Sequence, residues 1–247
     1  MRNVLTSLAL LSTLAASTPA FAGWSTVGTM STTADEGSKE LFAEGTGGTY
    51  SCPTGSGAWL TQVYAGGYTN YYHGTEAEAW SSDWEESGSD WFFNDAADIS
   101  FYCGHGFSGG FTFGGSAGDN VVYSTETRWG NGDLEAVHLQ TCSALDAAGR
   151  SAFAAANINR GVHWILGFQT TALDTSSTAD LDGYYLKLGY DYDTSWYYAT
   201  SSTHGSESVA AAVRFVSSSC NTYYDDIYSM SCDPTSGAWT VETTWTL

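Results

Sequence analysis

The sequence predicts an α/β fold in which a mostly parallel sheet is flanked by helices, and three observations carry that prediction. Two apolar runs of strand length, ADISFYCGHG (97–106) and DLEAVHLQTC (133–142), end in glycine, histidine or cysteine. An alanine-rich stretch from Ala144 to Asn157 follows the second run, with Leu145, Ala148, Ala152 and Phe153 spaced for one helical face. A third apolar run, VHWILGFQTT (162–171), follows that helix after a short connection. Strand, helix, strand with short links is the signature of a parallel sheet with helices packed on it.

The chain opens with one arginine, an apolar stretch from Val4 to about Ala16, and Ala20-Phe21-Ala22. This pattern predicts a secretory signal over residues 1–22, cleaved before Gly23. No run reaches the ~20 apolar residues of a membrane span, so an exported, soluble protein of one domain is expected, extracellular or periplasmic. Residues 23–57 are rich in Ser, Thr, Gly and acid and read as an irregular lead-in or an edge strand. Ala58–Tyr64 (AWLTQVY) has strand composition and is expected to begin the sheet. Gly66 to Gly74 reads as loop, and Glu76 to Glu86 as a helix with Ala77, Trp80 and Trp84 on one side.

Ile99, Phe101 and Cys103 share one face of the first key strand, with Ser100 and Tyr102 on the other. Phe107 to Gly132 contains no helical pattern, and a loop that long in a compact domain is usually functional or mobile. Leu134 to Thr141 is the second key strand. Gly161 marks the turn into the third. Asp180–Gly189 and Ser195–Ser201 are expected as short helices, and Ser208–Ser217 as a further strand.

Composition excludes some functions. A formal charge of −20 with only seven Lys and Arg residues leaves no basic cluster for nucleic-acid phosphates or an anionic membrane surface. Five cysteines in an exported chain leave one over. Cys220 and Cys232 are close enough in sequence to pair, Cys52 can pair with Cys103 or with a late cysteine, and Cys142 is the best candidate for the remaining thiol.

In parallel sheets ligands bind beyond the carboxyl ends of the strands, and His105 and Cys142 both fall at that edge. A thiol and an imidazole are what a cysteine nucleophile and its base require, and a helix start soon after Cys142 favours the thiolate. His138 lies four residues before Cys142 on the same strand, roughly 13 Å away at ~3.3 Å per residue, beyond hydrogen-bond reach. His163 opens the third strand and so lies at the opposite end of the sheet. His73 and His204 read as solvated loop histidines. Cys103, His105 and Cys142 are ligand types that suit zinc, but no fourth ligand stands at CxxC or HxxxH spacing. Asp180-Leu181-Asp182-Gly183 lacks the full oxygen-ligand loop of a calcium site. Neither metal nor cofactor is expected.

A strand ending in His-Gly, a loop, and an apolar strand ending in Cys resemble the caspase-like superfamily of cysteine peptidases, which includes caspases, legumains and gingipains. LQTCSAL is similar to the strand-to-nucleophile turn of that group, and LDGYYLKLGYDYDTSWYYAT to a helical segment of its gingipain-like members. RWGNGDLEAVHLQTCSAL and GVHWILGFQTT also resemble a family of secreted bacterial proteins whose domain has no assigned function. The resemblance implies a caspase-haemoglobinase-like three-layer sandwich over residues 58–247, with His105 as general base and Cys142 as nucleophile. It places the oxyanion hole at the backbone N–H groups of Gly106 and Cys142. The sequence departs from the caspase pattern Gln-Ala-Cys-Arg-Gly, having Gln140-Thr141-Cys142-Ser143-Ala144 instead.

The function expected is that of a secreted cysteine hydrolase acting on peptide or protein substrates. The alternative is a non-catalytic secreted binding or surface protein that retains the fold, supported by an aromatic content of 15%.

Overall fold

The computed structural model describes residues 39–46, 51–68, 70–75, 78–114 and 120–247. The expected signal segment, residues 1–22, lies outside them. Within them the chain forms β1 (Glu40–Gly45), α1 (Cys52–Tyr64), β2 (Asn70–Thr75), β3 (Ile99–Cys103), β4 (His105–Phe107), β5 (Gly110–Thr112) and β6 (Val121–Tyr123). There follow β7 (Ala136–Gln140), α2 (Ala147–Asn157), β8 (Trp164–Phe168), α3 (Ser176–Lys187), α4 (Tyr192–Thr203), β9 (Val209–Val216) and β10 (Trp239–Thr246).

Seven strands make one sheet in the order β10-β9-β8-β7-β3-β1-β2. The pairs from β2 through β8 are parallel, and β9 runs antiparallel to both β8 and β10. The central strands are buried on both faces, which is why they read as continuous apolar runs. Along β1 and β7, alternate residues enter two separate cores: Phe42, Val137 and Leu139 join Phe153 of α2 on one face. Leu41, Ala43 and Ala136 join Trp59 of α1, Leu186 of α3 and Trp196 of α4 on the other. The α/β architecture with a mostly parallel sheet is thus present, with β9 making the sheet mixed.

Four expectations are corrected. Residues 40–45 are an interior strand between β2 and β3, not a lead-in or an edge strand. Leu41-Phe42-Ala43 is fully buried, and its acidic neighbours Glu40 and Glu44, themselves buried, disguise it as polar sequence. Ala58–Tyr64 is the second half of α1 rather than a strand. Pro53 sits in the helix's first turn, where its missing N–H costs nothing, and Trp59, Leu60 and Val63 recur at helical spacing. Residues 70–75, expected as loop, are strand β2, anchored by the buried Tyr72 stacked on Phe42. The described part of the expected 76–86 helix, from Glu78 on, holds a 3₁₀ turn at Ser81–Asp83. There Trp84 is fully buried, and its indole N–H donates to Glu44 at 2.6 Å.

The long Phe107–Gly132 segment contributes to a small antiparallel sheet, β4-β5-β6. The helices and strands expected after Cys142 are all present, with α3 and α4 offset or extended by several residues. No helix among the described residues is long and apolar enough to cross a membrane.

Candidate active site

The sheet's register brings the two predicted residues together. Cys103 of β3 and Gln140 of β7 are register partners on adjacent parallel strands, which lie ~4.8 Å apart. His105 and Cys142 are each two residues beyond that pair, so both leave the carboxyl edge side by side. They line one cavity of about 110 Å³, together with Gln140, the Cys52–Cys103 disulfide and the Ala172–Asp174 segment. His105 is exposed and Cys142 half-buried.

The turn after Cys142 is strained and locked. Ser143 has φ +57°, a conformation uncommon for a residue with a side chain. Its N–H donates to the Thr170 carbonyl at 2.8 Å, and Leu145 N–H to Phe168 at 3.0 Å. Both bonds tie the turn to the chain leaving β8. Arg150, one of the few basic residues, completes the clamp. Its guanidinium donates to Leu145 O (2.9 Å), Gln169 Oε1 (2.7 Å) and Glu242 Oε2 (2.8 Å).

Gly106 is the other fixed point. A Cβ built on it would stand 2.6 Å from the Cys142 carbonyl oxygen and 2.6 Å from Thr141 Oγ1, so only glycine lets β4 lie against the Cys142 turn. The two backbone N–H groups expected to serve as oxyanion donors therefore belong to segments in direct contact.

The thiol donates to the Ala172 carbonyl at 3.6 Å, and among the described residues it makes no hydrogen bond to His105. Helix α2 begins at Ala147 and not directly behind Cys142. Its N-cap, Asp146, accepts from Gly149 N–H (2.7 Å) and Ser108 Oγ (2.8 Å), so its positive end already faces a carboxylate.

The cysteines sort cleanly around this site. Cys52 and Cys103 form a disulfide and Cys142 is a free thiol. Cys103 is thereby withdrawn from the three-ligand zinc arrangement and from any bond to Cys142. Cys220 and Cys232, close enough in sequence to pair, are free thiols: Cys220 Sγ meets Ser231 Oγ at 3.7 Å and Cys232 Sγ donates to the Ser219 carbonyl at 3.4 Å, and burial above all pushes the Cys220 thiol up to about 12.

The other histidines are structural, though not all as expected. His138 is fully buried, 2.8 Å from Asp182 Oδ2 and off the line along which a ring N–H would donate. Asp182 also accepts from Trp59 Nε1 (2.9 Å) and Ser195 Oγ (3.2 Å), so the Asp180–Gly183 stretch is helix and core rather than a cation loop. His163 Nδ1 meets Asp225 Oδ2 at 2.7 Å, at the opposite end of the sheet as predicted. His73 is not a solvated loop residue: on β2 its Nε2 lies 2.9 Å from Ser56 Oγ. His204, also expected in solvent, is buried against Phe168 and accepts the Leu173 N–H at Nε2 (2.9 Å). Burial holds the pKa of both His73 and His204 below the ordinary value.

A family model described as a domain of unknown function (DUF6345) matches residues 50–246. The chain belongs to the DUF6345 family. No curated protein matches it. The matched DUF6345 segment contains His105, Cys142 and every strand of the main sheet except β1.

Sequence reasoning missed the segment that closes the cavity of this DUF6345 chain. Gln140 Nε2 donates to the carbonyls of Leu173 (3.3 Å) and Thr175 (2.7 Å), and Asp174 accepts from the backbone N–H and hydroxyl of Ser51. With His204 these bonds fix residues 172–175 over Cys142. Gln140, last residue of a buried strand and close to the Cys142 turn, was the one legible signal. The others act across 31 to 123 residues of sequence.

Proposed function

We propose that this protein is a secreted cysteine hydrolase of caspase-like descent that cleaves peptide bonds. One observation carries the reading: His105 and Cys142 line the same cavity at the carboxyl edge of a mostly parallel sheet, with the Gly106 backbone packed against the Cys142 turn. Helices on both faces of the sheet agree with the three-layer sandwich that the resemblance implies, and the disulfide agrees with an oxidising compartment.

In this reading the imidazole of His105 takes the Cys142 proton, and Sγ forms a bond to the peptide carbonyl carbon. The Gly106 and Cys142 N–H groups stabilise the oxyanion more than the planar carbonyl, which is how they accelerate the step. The C–N bond then breaks, the imidazolium gives its proton to the leaving amine, and water hydrolyses the thioester with His105 again as base. Binding of the substrate draws the thiol from the Ala172 carbonyl toward the imidazole, since catalytic hydrogen bonds often tighten only in the complex.

Iodoacetamide labelling of the native, unreduced protein tests this, read by mass spectrometry. The expected result is rapid alkylation of Cys142 at pH 7, slowed at least tenfold by His105→Ala, together with Cys142-dependent cleavage of a peptide library. Alkylation indifferent to His105, or an inert Cys142, overturns the hydrolase and leaves a binding protein on the same fold.

A further inference from the structure

The opposite edge of the sheet holds an arrangement that the hydrolase does not use. Leu41 of β1, Ile99 of β3 and Ala136 of β7 are in register. One residue earlier stand Glu40, Asp98 and Glu135, where the parallel ladder continues: Asp98 N–H donates to the Glu40 carbonyl (3.1 Å) and Glu135 N–H to the Asp98 carbonyl (2.9 Å). Three neighbouring strands therefore begin with an acidic residue at the same level. Asp133 adds a fourth carboxylate, and one oxygen each from Glu40, Asp98 and Asp133 lie within 4.8 Å of one another. Glu40 and Asp98 are buried.

Like charges placed side by side across a sheet are destabilising, and buried carboxylates this close cannot all ionise without a counter-charge. The Lys39 ammonium donates to the Ile227 carbonyl at 3.0 Å and lies over the rings of Tyr68 and Tyr228.

Neutral oxygens on the same side supply a second, independent observation. The hydroxyls of Tyr68 and Tyr192 are buried, with 3% and 0% of each residue exposed, and among the described residues neither has a hydrogen-bond partner. Both rings pack in the core that also holds Leu41, Ile99 and Ala136, each the residue after one of these acids, and the Lys39 ammonium, next to Glu40, lies 5.5 Å from the centre of the Tyr68 ring. One oxygen of Glu135 is likewise buried and unpartnered. Buried polar groups normally find partners. Two phenols and a carboxylate oxygen left unsatisfied beside crowded acids mark a place built for something that binds oxygen.

We propose that Glu40, Asp98, Asp133 and Glu135 bind a calcium ion at the amino edge of the sheet, with the Tyr68 and Tyr192 hydroxyls closing the site. The donor set is entirely oxygen, with several carboxylates and no nitrogen or sulfur, which is the chemistry of a hard divalent cation. Its size and mixed carboxylate and hydroxyl character suit the larger, geometrically tolerant Ca²⁺ over Mg²⁺. The site is independent of the His105–Cys142 chemistry and lies at the other end of the strands. Its role is to tie β1, β3 and β7 together below the catalytic edge.

The test is calorimetric titration of the chelator-stripped full chain with calcium chloride alone, alongside thermal unfolding. One ion per chain is expected, and at a hundredfold excess over Kd a rise in Tm of about 5–10 °C, with much less from magnesium. Asp133→Asn, at the half-exposed member of the set, is expected to fold and to weaken binding at least tenfold, and Glu135→Gln to do the same. Neither heat nor a Tm shift up to ~10 mM calcium, a range that includes weak extracellular sites, overturns the proposal. So does binding that persists unchanged in Asp133→Asn, which would place the ion elsewhere on the acidic surface.

Discussion

The two edges of one sheet are built on opposite principles. At the carboxyl edge, β3 and β7 end in Gly104-His105-Gly106 and Thr141-Cys142-Ser143, and the chain is held by backbone hydrogen bonds, a disulfide and a guanidinium clamp. Reactive groups are left open to the cavity. At the amino edge the same strands follow Asp98, which is buried, and Glu135, one oxygen of which is, and His163 lies between Asp225 and, at 3.5 Å, Asp233. One edge keeps a thiol and an imidazole accessible; the other confines charge. Substitutions at the first should therefore change chemistry with little loss of stability, and substitutions at the second the reverse.

The largest expected effect comes from Cys142→Ala. Removing a nucleophile typically leaves only the contribution of binding and the oxyanion donors, so peptide cleavage should fall by at least about 10³-fold. The Cys142 side chain is half-buried and makes one long hydrogen bond, so Tm should stay within about 2 °C. A variant that loses both activity and stability would show that the carboxyl edge is a folding element after all.

Asp225→Ala is the counterpart. Asp225 accepts from the Ser231 N–H (2.9 Å) and hydroxyl (3.0 Å) as well as contacting His163, and it is buried. Breaking a buried pair by removing one partner costs about 3–5 kcal/mol, to be read from chemical denaturation. The rate of Cys142 alkylation in the folded protein should not change. Gly106→Ala falls between the two. Its methyl would meet backbone and Thr141 at 2.6–2.7 Å, an overpacking worth about 1–3 kcal/mol, and by moving β4 off the Cys142 turn it should slow cleavage more than it lowers Tm.

How much of this was legible depended on how far each partner lies along the chain. ISFYC and VHLQT announce themselves because both faces of a central parallel strand are apolar, and the two residues after each run then mark the site. β1 stayed hidden because its three apolar residues stand between glutamates that are covered by distant parts of the chain, Glu40 meeting Asp98 58 residues on and Glu44 meeting Trp84 40 residues on. The α1 helix was misread from its β-favouring second half, while Ser51 at the N-cap and Pro53 in the first turn were the better guide. His204 looked like a loop histidine because its partner, Leu173, lies 31 residues earlier. The acids at 98, 133 and 135 were visible, but only the register of three strands places them together.

Histidines supply the smallest and most discriminating effect. For His163, burial disfavours the cation, but the hydrogen bond to Asp225 and the charges of Asp225 and Asp233 outweigh it and raise its pKa. A raised pKa stabilises the fold fully below the unfolded value of ~6.5 and loses that contribution as pH rises through the folded one. For His204, burial lowers the pKa, and the neutral ring is the form that accepts from Leu173. Its contribution is complete above ~6.5 and is lost as pH falls through that value toward the folded pKa. His163→Gln should therefore be most destabilising at pH 5.5 and approach wild type near pH 9, whereas His204→Ala should cost most at pH 8 and least at pH 5.5. Both trends are read from denaturation midpoints of wild type and variants across that range. Because His204 holds the segment over Cys142, backbone hydrogen exchange at residues 172–175 should also quicken in acid while the amino edge does not. Parallel pH trends for the two variants would mean that a shared network, and not two separately built edges, sets the stability of the sheet.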